Sequence, residues 1–93
     1  MRDDRFEWDD EKAASNARKH GVTFDEAREA FDDPKGFEEP DDDPDEERWA
    51  IIGMTKAGLL YVVFTERGTR TRIISARGAD RHEQDLYHRQ ALP

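Results

Sequence analysis

Apolar and polar positions alternate first in "RFEW", where Phe6 and Trp8 fall on one side and predict a short strand. The pattern then changes to a helical one. "DDEKAASNARKHG" has Asp9 or Asp10 as an N-cap, acids in its first turn, Lys19 and His20 at its end, and Gly21 as a left-handed cap. "VTFDEAREAFDDP" predicts a second helix. Thr23 and Glu26 have capping-box spacing, Phe24, Ala27 and Phe31 form one apolar stripe, and Asp32, Asp33 and Pro34 end it. Residues 35–47, "KGFEEPDDDPDEE", predict an acidic loop, because like charges and two prolines oppose regular structure. Three strands follow. "RWAIIGM" ends at a turn around Lys56 to Gly58. "LLYVVFTE" is nearly continuously apolar, as a central strand buried on both faces would be. A tight turn at Arg67 and Gly68 returns the chain antiparallel through "TRTRIISAR". Asp80 and Glu83 repeat the helix-start spacing for a last helix running to about Gln90. The order β-α-α-β-β-β-α predicts an α+β fold. Its sheet is four-stranded and mainly antiparallel, with two N-terminal helices on one face and a C-terminal helix across or beside it.

At 93 residues the chain has room for one domain, 1–93. Its 34 % hydrophobic content is lean, so the core is expected to be thin. The absence of cysteine excludes disulfides and thiolate zinc sites. No stretch approaches the roughly 18 apolar residues of a membrane span. No apolar signal core is visible at the start, and the expected location is the cytoplasm. The formal net charge is −8 and unevenly spread. Residues 1–47 hold 19 acids and 7 bases, whereas residues 48–93 hold 4 acids and 8 bases, a net of +4. A basic half of this kind can meet phosphate or an acidic partner, or can simply be a solvated face.

Cofactor and metal chemistry find no support in the sequence. There is no P-loop, dinucleotide fingerprint or H-E-x-x-H. The aspartates at 41, 42, 43 and 45 lack the spacing of a calcium loop. Ser15 and Ser75 fall inside a helix and a strand rather than on an elbow turn. What remains is the protic, basic stretch "TRTRIISARGADRHEQDLYH". RNA can be cut without metal when its 2′-OH attacks the adjacent phosphate. That step needs a base, an acid and cations around the transition state. Arginine forks match phosphate oxygens, and His, Glu or Tyr can move protons. Each residue also has a purely structural reading. Arg70 and Arg72 share a sheet face and could pair with acids, and Arg77 could cap a helix. Arg81 could pair with Asp85, Glu83 could close a capping box, and Tyr87 could be core. His20, His82 and His88 could be solvated.

"FEWDDEKAASNARKHGVTFDEAREAFDDP" resembles the opening of BrnT-family toxins, and "RIISARGADRHEQDLY" resembles that family's closing segment. The "FTERG" turn lies between them in the right order. The resemblance implies a RelE-like fold and a ribosome-independent ribonuclease. It further implies a cognate BrnA-like antitoxin with a ribbon-helix-helix domain, through which alone operator DNA is contacted. RNA would be the substrate, and no membrane or cofactor would be involved. Arg67, Arg77, Glu83 and Tyr87 are the catalytic candidates carried over. Arg70, Arg72, Arg81 and His82 are the candidates for RNA phosphates. The last helix departs from the family pattern at Gly78, Asp80, His82 and Gln84, each less basic than usual there. A catalytically weak homologue, acting as antitoxin-binding partner and co-repressor, is the alternative.

Overall fold

The computed structural model describes residues 1–90. Strand β1 (Phe6–Glu7) is followed by α1 (Asp10–His20), α2 (Phe24–Arg28) and a 3-10 turn (Glu29–Asp32). Strands β2 (Phe37–Asp41), β3 (Arg48–Thr55), β4 (Gly58–Arg67) and β5 (Arg70–Gly78) come next, then α3 (Arg81–Gln90). The helix starts behave as their sequences require. Asp9 accepts from the amides of Glu11 and Lys12, and Gly21 closes α1 at φ +70°. Thr23 and Glu26 form both bonds of a capping box. Asp80 and Glu83 do the same ahead of α3, at 2.8 and 2.9 Å.

The sheet has five strands in the order β1-β5-β4-β3-β2, not four. The extra strand lies inside the predicted acidic loop, where Phe37–Asp41 pairs antiparallel with Arg48–Ile52. Only the remaining residues, 42–47, connect the two. An edge strand needs one set of ladder bonds, and it tolerates proline and charge that a central strand would not. β1 is parallel to β5, which makes the sheet mixed.

One face of the sheet carries Phe6, Ile51, Leu60, Val62, Phe64, Ile73 and Ala76. They pack against Val22, Phe24, Ala27 and Ala30. The 3-10 turn sits so close to β3 that a Cβ at Gly53 would stand 2.6 Å from the Ala30 carbonyl oxygen. α1 is fastened by a buried amide. Asn16 donates to the Val22 and Ala76 carbonyls and accepts from the Ala76 amide. Its carboxamide thus serves the strand edge as a neighbouring strand would, and each group left unpaired without it would cost about 1–3 kcal/mol. The other face is more open, although Ala50 and Ile52 of β3 are fully buried on it and α3 packs against β3. The expectation that β4 is buried on both sides is corrected there: Leu59, Tyr61 and Thr65 are half-buried, and only Val63 is closed off.

Candidate nucleic-acid interface

The open face owes its chemistry to a bulge. Val63 pairs with Ser75 and Phe64 with Ile73, so Ile74 has no partner on β4. Strict alternation would send Arg72 and Arg77, five positions apart, to opposite faces. The bulge resets the alternation. Arg72 stands opposite Thr65 and Arg77 opposite Tyr61, four residues apart on β4 and therefore on one face. Arg70, opposite Arg67, shares it.

At one end Arg77 is fixed from several sides. Its Nη1 and Nη2 donate to the two carboxylate oxygens of Glu83, both at 2.8 Å, and Nη1 also reaches the Gly78 carbonyl at 3.2 Å. Its Cζ lies 4.3 Å from the Tyr61 ring centroid. The Tyr61 hydroxyl donates to Asp41 at 3.0 Å. The bond to Glu83 raises the Arg77 pKa further, against the effect of burial. Burial and the bond to Asp41 push the Tyr61 phenol up to about 12. Among the described residues, Nε–H and the second N–H of Nη2 have no protein acceptor. These two form the side fork of the guanidinium, and the Arg77 side chain is 38 % exposed.

The other candidates near this end are more committed. Glu83 is 7 % exposed, and its Oε1 also accepts from the Asp80 amide, so neither oxygen is free. Tyr87 is 5 % exposed and donates to Asp33 Oδ2 at 2.6 Å. That bond, with burial, pushes its phenol up to about 12. Burial opposes ionisation of Asp33. Its bonds from Tyr87 and from the amides of Met54 and Lys35 still hold its carboxyl below the ordinary value. Arg81 and His82 are exposed on the first turn of α3, immediately before the buried Glu83.

The opposite end, at the β4–β5 hairpin, gathers different residues. The turn is at Gly68 and Thr69, one position beyond the expected one, with Gly68 at φ +62°. Arg67 is exposed. Arg70 Nε donates to the Asp3 carbonyl at 2.7 Å, and Arg72 Nη1 to Glu7 Oε2 at 2.7 Å. The Arg72 bond leads in holding the Glu7 carboxyl below its ordinary value, and the charges of Arg72, Arg2 and Arg67 add to it against burial. Arg67 lies six positions along β4 from Tyr61, which faces Arg77. Arg67 and Arg77 are therefore roughly 20 Å apart. The catalytic candidates do not converge on one point. Arg77 and Glu83 are in contact, Tyr87 lies one helical turn beyond Glu83, and Arg67 is at the far end.

Sequence reasoning missed Tyr61, Asp41, Asp33 and Glu7. Glu7, in "FEWD", and Asp33, in the closing "DDP", both lie inside the stretch that resembles the family's opening; Tyr61 reads as one more apolar strand residue.

This is a small α+β domain with Arg70, Arg72 and Arg77 on one face of its sheet. Residues 8–83 match the family described as the ribonuclease toxin BrnT of type II toxin–antitoxin systems, and the chain belongs to that family. Membership makes it a toxin-family ribonuclease with an antitoxin as its partner. No curated protein matches the chain. Among the described residues no helix is long and apolar enough to cross a membrane.

Proposed function

We propose that this protein is the endoribonuclease toxin of its module and that it cuts RNA at a phosphate bound by Arg77. The reading rests above all on one feature: the end fork of Arg77 is held by Glu83 while its side fork is free and half-exposed. A guanidinium already fixed in place stabilises developing phosphorane charge without reorganising during the reaction. The 2′-hydroxyl attacks the phosphorus and gives its proton to water, the bond to the 5′-oxygen breaks and that oxygen takes a proton from water, leaving a 2′,3′-cyclic phosphate and a 5′-hydroxyl, and no metal takes part. Glu83 and Tyr87 act here by holding Arg77 and α3 in place, since their oxygens are occupied. Arg67, Arg70, Arg72, Arg81 and His82 bind flanking phosphates. The fold is RelE-like, the site of action is the cytoplasm, and the partner is a BrnA-like ribbon-helix-helix antitoxin that covers the open face and carries the complex to operator DNA.

One observation favours the alternative of a weak enzyme retained as a co-repressor. Arg72 and Arg77 are each already paired with a glutamate carboxylate, which lowers the charge offered to RNA, and Arg70 is held by the Asp3 carbonyl. Expression without the antitoxin separates the two readings. Growth arrest with RNA cleavage, persisting in purified protein with excess EDTA, supports the nuclease. Normal growth and intact RNA support the co-repressor.

A further inference from the structure

Two parallel bonds to one carboxylate fix the edge of a guanidinium but leave it free to swing about the line joining them. Something must block that swing if the side fork is to meet a phosphate at a constant height. On the open face this is the Tyr61 ring, directly across the ladder from Arg77, with the Arg77 Cζ 4.3 Å from its centroid. The ring is itself tied at its far end. Its hydroxyl reaches past β3 to Asp41, the last residue of β2. With its phenol pushed up to about 12, Tyr61 stays protonated and keeps donating throughout the neutral range. The acidic edge strand is in this way joined to the arginine: Asp41 holds Tyr61, and Tyr61 supports Arg77, whose other contacts are Glu83 and the Gly78 carbonyl.

We infer that Tyr61 and Asp41 are positioning residues for Arg77, the ring setting the plane of its guanidinium and Asp41 setting the ring. The inference rests on the Arg77-centred reading above. Neither residue touches the reacting atoms. Their effect belongs in kcat, because a displacement of about 1 Å in a charge that meets the transition state costs on the order of a hundredfold in rate.

The test uses the full chain, a fluorophore-labelled unstructured RNA oligonucleotide of mixed sequence, and EDTA throughout. Tyr61→Leu, Tyr61→Phe, Asp41→Ala and Arg77→Ala are compared with the parent for kcat, KM and melting temperature. Tyr61→Leu is expected to lower kcat at least about tenfold with KM little changed. Tyr61→Phe, which keeps the ring, should recover most of that loss. Asp41→Ala should lower kcat a few-fold while the protein remains folded. If Arg77→Ala is inactive but folded Tyr61→Leu turns over like the parent, the positioning role is wrong and the Arg77 reading stands. If Arg77→Ala itself cleaves normally, that reading falls first. A loss in Tyr61→Leu that disappears when the assay is cooled well below its melting temperature marks mere destabilisation and also overturns the inference. Should Tyr61→Leu fail to fold, an unchanged kcat in Asp41→Ala does so.

Discussion

Arg77 and Arg72 each meet a glutamate on the open face, one through two bonds and the other through one. The Arg77–Glu83 pair is bidentate, and its carboxylate belongs to a buried residue and is shared with a helix N-terminus. It is braced by an aromatic ring. The Arg72–Glu7 pair has a single bond of 2.7 Å, and its carboxylate sits among the charges of Arg2, Arg67 and Arg72. The first arrangement fixes a direction. The second makes a positive basin in which direction matters little. Phosphate chemistry needs both, but in different steps: a fixed fork lowers the barrier, and a diffuse basin raises the affinity.

The sharpest way to break this contrast is to keep the charge and remove the fork. Arg77→Lys should lower kcat by about two decades, the ~3 kcal/mol typical of a lost preorganised donor, whereas Arg72→Lys should cleave nearly as the parent does. Equal losses in single-turnover assays would mean that the two ends are not distinct. A smaller effect is expected from removing charge at the hairpin. Arg67→Ala and Arg72→Ala should each lower the salt slope of single-stranded RNA binding by about 0.7 while leaving kcat at saturation unchanged. Fluorescence titrations across ionic strength read this directly, and a slope equal to the parent's would remove that arginine from the RNA path. The smallest effect tests whether Tyr87 is a support. Tyr87→Phe should cost about 1 kcal/mol of stability and little rate. The depressed carboxyl of Asp33 contributes stability above its ordinary value of 3.8, and loses it as the pH falls through the lower folded value. Thermal unfolding between pH 2 and pH 6 should therefore show a shallower acid limb in Tyr87→Phe than in the parent.

Much of the fold could be read along the chain because local signals and the tertiary structure agree. Asp9, Thr23 and Asp80 cap the helices their spacing promises, Gly21 takes the left-handed cap, and Phe6 and Trp8 both enter the core. β2 was hidden because its stability comes from a neighbour. Its own residues, Phe37 to Asp41, offer one aromatic ring, three acids and a proline, and only pairing with β3 makes them a strand. The site was less legible for a different reason. Glu83 does close a capping box as its spacing suggested, but it also bonds Arg77, which spacing does not show. Distance was not readable. Ten positions from Arg67 to Arg77 look local in sequence, yet a hairpin turns most of that separation into strand length. Nor does anything in "RIISAR" announce that Ile74 is left out of the ladder and that the two arginines consequently share a face.

Residues 37–47 hold eight acids and no base, so this edge strand and its loop carry a formal charge equal to that of the whole protein, and the remaining chain sums to zero. An isoelectric point near 4.8 therefore describes one hairpin rather than the surface as a whole. That acidic loop lies at the same end of the sheet as the β4–β5 hairpin, Thr65 donating to the Glu47 carbonyl, so an anion-exchange column would retain the protein through a corner beside its arginines. Bulk properties that ordinarily warn against a nucleic-acid ligand would mislead here, because titration, electrophoretic mobility and chromatography all report on the arm.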